Sequence, residues 1–346
     1  MNRQIGQRTL LFPNRPRVIG CASIVAGAEA EGPLGTCFDR AEADDTFGED
    51  SFEKAERRFF TETVVLACRK SGLAVSDLSA LLGGDLLNQI VTANYAARDL
   101  NVPFLGLYGA CSTMSESLLL GSVLVDAGFR SPVACVACSH FSTAERQYRY
   151  PLEMGTTSPP TAQRTVTGAG CLLLADTLPP EARYRRIRVA AATLGTVVDL
   201  GVNDIGNMGA AMAPAACDTI LQHLSDMGCS PADYDRIVTG DLGTHGSEML
   251  KELCRENGVD LSERHFDCGA EIYASSQNYN CGGSGCGCSA VVLAGHLLPL
   301  LESGELRRIL FLATGALMST TTVQQGETIP GIAHAIVLEH TEGGNL

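Results

Sequence analysis

The stretch VPFLGLYGACSTMSESLLLGSVLVDAG, residues 102–128, runs from an apolar strand through a two-residue turn directly into an apolar helix. Cys111 stands at that junction, facing the unpaired N–H groups of a first helical turn. Such a terminus favours an anion by roughly 0.3–1 kcal/mol, up to about 2 kcal/mol when partly buried, and the same field promotes a thiolate. A nucleophile and an anion-binding position therefore look alike here. The short polar side chains of Ser112, Thr113 and Ser115 are suited to cap the first turn. The helix from Thr113 to Ala127 is apolar nearly all round, which marks it as central.

Working outward from this stretch, the chain repeats itself. Gly72, Asp77 and Gly84-Asp85-Leu86 recur as Gly228, Asp233 and Gly240-Asp241-Leu242, each 156 positions later. Each copy reads as an amphipathic helix (Phe52 to Lys70; Pro214 to Met227), a terminating glycine, an acidic turn and a buried strand (Ala80 to Leu82; Arg236 to Thr239). Beyond each copy a small-residue turn opens an apolar helix, Gly109-Ala110-Cys111-Ser112 in the first and Gly287-Cys288-Ser289, before Ala290 to Glu302, in the second. Both helices lead into strands, Val133 to Cys138 and Arg308 to Thr314. These end in small residues, as expected where a chain leaves the carboxyl edge of a sheet to form a site. The chain thus divides into two similar halves, 1–180 and 181–346, at the proline-bearing segment LPPEARYRR.

Composition agrees with an α/β protein: 45% of the 346 residues are hydrophobic and 18% charged. The net charge of −14 and the lack of any lysine or arginine run longer than two exclude a footprint for phosphate backbones, so no nucleic-acid partner is expected. A small anion stays compatible, because helix termini and one or two arginines can make a local positive site. The opening MNRQIGQRTLLF is not a signal peptide, so the fourteen cysteines read as mostly reduced. No continuous apolar run reaches about eighteen residues, so no spanning helix is expected and membrane association would go through a partner.

His140 follows the strand Val133 to Cys138 and falls on the same sheet edge as Cys111, either as a site residue or as a satisfied structural histidine. Glu145, Arg146 and Arg149 lie in a polar loop or short helix able to close over the site, with surface ion pairing as the alternative for the arginines. The Cys135-Cys138 CxxC pair sits on a strand, where residues three apart point to opposite faces and cannot share a metal. Cys281, Cys286 and Cys288 lack a matched second pair, so no metal is expected there either.

Taken together, the Gly-Ala-Cys-Ser junction, the duplicated halves and the glycine-rich turn GGSGCGCSA (282–290) resemble the thiolase superfamily. More closely, GPLGTCFD (32–39), GGDLLNQIVTANYAARDL (83–100), YGACSTMSESL (108–118), STAERQYRYPLEMG (142–155), MGAAMAPAACDTI (208–220), CGGSGCGCSAVV (281–292) and QQGETIPGIAH (324–334) resemble the stage V sporulation protein AD family across nearly the whole chain. That resemblance implies a thiolase-like α/β fold of two duplicated halves, each with a central mixed sheet covered by helices, in five layers, αβαβα. It implies binding of dipicolinate, with or without calcium, and no cofactor. It further implies work alongside the other stage V sporulation A membrane proteins in sporulation and germination, peripheral at the inner spore membrane, with a homodimer as the common assembly of the fold. By the same resemblance the ligand site includes Asp85, Cys111 and His140, with Glu145 and Arg146 as weaker candidates.

Thiolase-fold condensing enzymes pair the nucleophilic cysteine with two further groups, histidine with asparagine, a second histidine or a second cysteine. Where the first partner is expected this chain has Thr239-Gly240-Asp241-Leu242, with His245 displaced by several residues. The glycine-rich turn offers only Gly, Cys or Ser, and Ala313-Thr314-Gly315-Ala316 replaces the late cysteine motif. Because such groups act as a unit, loss of two costs orders of magnitude in rate. A non-catalytic binding protein is the expectation. A residual acyltransferase or thioesterase using Cys111 is the alternative.

Overall fold

The computed structural model describes residues 3–14, 16–148 and 158–342. Arg149, one of the cations named from sequence, lies outside the described residues.

The repeat is visible first in its local chemistry. Helix α1 (Phe52–Lys70) is capped by Ser51, whose side chain accepts from Lys54 N–H, and it buries Ala55, Phe59, Phe60, Val64 and Ala67 at helical spacing. It ends with Gly72 at φ 69°, as helix α5 (Met208–Met227) ends with Gly228 at φ 60°. In the following turns Asp77 accepts from Ala74 N–H and Asp233 from Ser230 N–H, both at 2.8 Å. Each turn then enters a buried strand, β2 (Ala80–Gly84) or β7 (Arg236–Thr239).

Around β2 stand β1 (Arg17–Val25), β3 (Phe104–Gly106), β4 (Val133–Ser139) and β5 (Gly168–Ala175), in the order β1-β5-β4-β2-β3. Around β7 stand β6 (Ile187–Thr193), β8 (His265–Asp267), β9 (Arg308–Ala316) and β10 (Gly331–His340), in the matching order β6-β10-β9-β7-β8. Both sheets are mixed in the same way: β2 is parallel to β3 and β4 while β5 is antiparallel to β4, and β7 is parallel to β8 and β9 while β10 is antiparallel to β9. One antiparallel pair, Arg17 with Arg188, joins the sheets edge to edge. A further strand, Thr9–Leu11, pairs on one side with Gln4–Ile5 and on the other with β6, Leu11 opposite Ala191.

Strand alternation sorts side chains into layers. Leu81, Ala134, Val136 and Cys138 pack outward against α1 and helix α2 (Val91–Leu100). Leu82, Cys135 and Ala137 pack inward against helix α3 (Thr113–Asp126) and helix α7 (Cys286–Ser303). The inner face of the second sheet closes on the same pair, with Phe311 and Leu338. Its outer face carries Leu310 and Leu312 against α5 and helix α6 (Gly243–Glu256). Helix, sheet, helix, sheet and helix make the five layers, and Cys135 and Cys138 fall on opposite faces of β4. Among the described residues no group of three or more His, Cys, Asp or Glu side chains could hold a metal ion.

Two local expectations are corrected. Helix α5 starts at Met208, not Pro214, because Asn207 accepts from Ala210 N–H at 3.2 Å and the proline is carried inside the helix. Helix α7 starts at Cys286, not Ala290, because Gly285 at φ 98° completes the turn just before it; a π turn at Leu293–Leu297 interrupts it. By length and composition α7 does meet the criterion for crossing a membrane, but here it is mostly buried as a middle-layer helix.

Candidate functional site

Gly109 leads into a 3₁₀ turn, Ala110–Ser112, with Ala110 in the left-handed region at φ 51°. That conformation costs a non-glycine residue roughly 1–2 kcal/mol, and it brings Cys111 to the head of α3. Ser112 is already helical, so it lacks the extended geometry of a cap. The hydroxyls of Ser112, Thr113 and Ser115 turn back instead, donating to the carbonyls of Gly109 (2.7 Å), Ala110 (2.7 Å) and Ser112 (3.1 Å). The expected capping by these residues does not occur. The end of β9 passes close by: a Cβ on Gly315 would lie 2.6 Å from the Gly109 carbonyl oxygen, so glycine is required there.

Cys111 is 9% exposed and opens on a cavity of about 470 Å³ between the halves. Leu86, Tyr108 and Glu145 line it from the first half, Met208, Met212 and the segment Ala316–Thr321 from the second. Behind the thiol lies Asp241, fully buried, which accepts from Thr314 Oγ1 (2.8 Å), Gly285 N–H (2.9 Å) and Ser284 Oγ (3.1 Å). Burial pushes the Asp241 carboxyl up to about 6, against the opposing pull of the hydrogen bond from the Cys111 thiol and of its other donors. Burial, and next the Asp241 charge, hold the thiol well above its ordinary value. At neutral pH the pair is therefore a protonated thiol on a carboxylate, which reverses the sequence expectation of a thiolate: the low dielectric of the site outweighs the helix terminus.

Of the residues named from sequence, Cys111 and Glu145 reach the cavity wall. Asp85 does not. It is buried behind Leu86 and accepts from Leu87 N–H and Ala93 N–H, both at 2.7 Å, tying the loop after β2 to the start of α2; burial raises its carboxyl to about 6. His140 is also buried. Its Nδ1 accepts from Ser142 N–H at 3.1 Å, so Nε2 carries the proton and donates to the Asp45 carbonyl at 2.7 Å. Burial lowers its pKa and favours the neutral ring, both of whose nitrogens are taken by backbone partners. Arg146 ion-pairs with Glu53 on the surface and borders a separate shallow hollow. His245 is exposed on α6. The site residue that sequence reasoning missed is Asp241. Its signal was present, since it is the repeat partner of Asp85.

A double-sheet α/β fold with a cysteine at the head of a middle-layer helix defines a thiolase-fold protein. The synthase III for 3-oxoacyl-[acyl-carrier-protein] from Aquifex aeolicus has this fold at a TM-score of 0.56 and 12% identity, over 94% of this chain and 100% of that one. OleA of Xanthomonas campestris has it at 0.59 and 14%, over 94% and 99%. The family model for stage V sporulation protein AD matches residues 6–339. Stage V sporulation protein AD of Bacillus subtilis (strain 168) is 45% identical over 341 residues, 98% of this chain and 99% of that protein. The chain belongs to the stage V sporulation protein AD family.

Proposed function

We propose that this protein is a non-catalytic subunit that binds dipicolinate in the cavity at Cys111 and acts with the other stage V sporulation A proteins, peripheral to the inner spore membrane. The observation that carries the non-catalytic reading is the Cys111–Asp241 pair: a carboxyl at about 6 is too weak a base to ionise a thiol held well above 9. The same pair suits binding, since the hydroxyl oxygens of Ser284 and Tyr108, whose protons go to Asp241 and Asn88, offer acceptors beside the apolar walls of Leu86, Met208 and Met212. Among the described residues the wall holds no Lys, Arg or His and carries the Glu145 carboxylate. A dianion alone gains little there, and its calcium chelate, with the charge neutralised, is the better fit. Within this reading Cys111 and Glu145 meet the ligand, Asp85 and His140 fix the backbone behind the wall, and Arg146 stays at its separate hollow, ion-paired with Glu53. A division into halves 1–180 and 181–346 is supported by the link between β5 and β6, which carries the chain from one sheet to the other. A homodimer is supported by the exposed apolar side chains of Tyr95, Leu105 and Tyr108 around edge strand β3, and sedimentation would test it.

Isothermal titration with dipicolinate, with and without calcium, tests the proposal on wild type and Cys111→Ala. Saturable binding, tighter with calcium and at least tenfold weaker in the variant, is expected. No saturable binding under either condition would sink it, and an acyl adduct on Cys111 that forms from acyl-coenzyme A and turns over would reinstate the enzyme.

A further inference from the structure

Away from Cys111, the outer layer of the second half holds two thiols in contact. Helix α5 precedes β7 and helix α6 follows it. The two come close at Gly209 and Gly246, where a Cβ on Gly246 would lie 2.8 Å from Gly209 Cα. Cys217 and Cys254 each stand eight residues beyond their glycine, about 12 Å further along the helix. The equal offsets mean that α5 and α6 run side by side in the same direction, and the thiols meet between them: Cys254 donates to Cys217 Sγ at 3.4 Å. Among the described residues no other two cysteines are hydrogen bonded to each other.

A disulfide requires the sulfurs at about 2.05 Å, so they have about 1.4 Å left to close. With the backbones already held near each other by the glycine pair, that gap falls to side-chain adjustment. The two thiols are not equivalent. Cys217 is 5% exposed, whereas Cys254 is fully buried. The hydrogen bond from Cys254 lowers the Cys217 thiol from its ordinary value, against its burial and the Asp218 charge. That makes Cys217 the nucleophile and leaves Cys254 as the thiol that resolves it. Cys111 is the reverse case, since its hydrogen-bond partner is a carboxylate that holds its proton on.

We propose that Cys217 and Cys254 are a site of reversible disulfide formation, driven by a peroxide, that joins α5 to α6. The Cys217 sulfur attacks one peroxide oxygen and the O–O bond breaks. Hydroxide leaves with the Cys217 proton as water, and a sulfenic acid remains on Cys217. The Cys254 sulfur then attacks Cys217 Sγ: the S–S bond forms, the S–O bond breaks, and a second hydroxide leaves with the Cys254 proton as water. The two thiols lose two electrons, and hydrogen peroxide is reduced to two waters. A peroxide is small enough to reach so enclosed a thiol. The new bond fixes α5, whose Met208 and Met212 line the Cys111 cavity, to its outer neighbour. It also closes the segment 217–254 into a loop, which restricts the unfolded chain.

Hydrogen peroxide is the probe, added to the full chain at levels that convert free cysteine to cystine in the same buffer. Remaining thiols are blocked, the chain is digested without reductant, and the peptides are read by mass spectrometry. Wild type is expected to yield a peptide pair joined through Cys217 and Cys254, and to melt at least about 2 °C higher than the untreated chain. Dithiothreitol reverses both changes, and Cys217→Ser and Cys254→Ser show neither. In Cys254→Ser the sulfenic acid persists on Cys217 and is trapped there by dimedone. Absence of the joined peptide from treated wild type, or an equal rise in melting temperature in either variant, overturns the proposal. Should a serine variant fail to fold, the joined wild-type peptide and its reversal by dithiothreitol decide alone. Both readouts are independent of what occupies the Cys111 cavity.

Discussion

Gly84-Asp85-Leu86 and Gly240-Asp241-Leu242 are the same three residues after the same strand, but their carboxylates face different tasks. Asp85 spends both oxygens on backbone N–H groups of its own half. In the second half that task passes to Asp267, at the end of β8, which accepts from Leu242 N–H and Gly243 N–H, both at 2.9 Å. Asp241 is thereby released to turn between the halves, under Cys111 from one and beside Ser284 and Thr314 from the other. Duplication supplied two equivalent carboxylates, and one substituted tether let one of them become part of a site.

The comparison breaks most readily at Asp85. Asp85→Ala leaves two buried N–H groups without an acceptor, at about 1–3 kcal/mol each, so a loss of ~4 kcal/mol is expected in denaturant unfolding. A loss below about 1 kcal/mol would mean that the loop is held otherwise. Next comes the pH dependence of Asp241→Asn. The folded carboxyl keeps its proton up to about pH 6 and the unfolded one only to about 4. Between these values the folded state binds more protons, so wild-type stability falls as pH rises through this window and levels above it. The variant lacks that fall, and the gap between the two unfolding curves should change by ~3 kcal/mol between pH 4 and pH 7. Parallel curves would show that Asp241 is not perturbed. Smallest is the effect on the thiol: Cys111 should alkylate with iodoacetamide at least tenfold more slowly than a free cysteine at pH 7.5, as read by mass spectrometry, and Asp241→Asn should recover part of that rate. Fast alkylation in wild type would contradict the protonated pair.

What could be read from sequence was what is local. Asp77 and Asp233 act within their own four-residue turns, Gly72 and Gly228 end their own helices, and the alternation of β4 separates Cys135 from Cys138; each follows from spacing alone. The direction of Asp241 was not legible, because it depends on Asp267 taking the tether from a different strand. The same holds for the thiol, whose neighbours Asp241 and Cys286 arrive from the other half and reverse what the helix terminus alone would do. The starts of α5 and α7 are not legible in the same way, because Asn207 and Gly285, rather than the proline and the small residues that follow, set the geometry there.

Strand Thr9–Leu11 has a consequence for how the molecule is made. Leu11 waits for Ala191, 180 positions further along the chain. At about 5–20 residues per second a ribosome needs about 10–40 s to deliver that partner. Through this interval the nascent chain carries a short ribbon, Gln4–Ile5 with Thr9–Leu11, whose second edge is open to mispairing or chaperone capture. Docking of the N-terminal ribbon onto the second sheet, though a minor contact in the finished protein, is therefore among the last events of its birth.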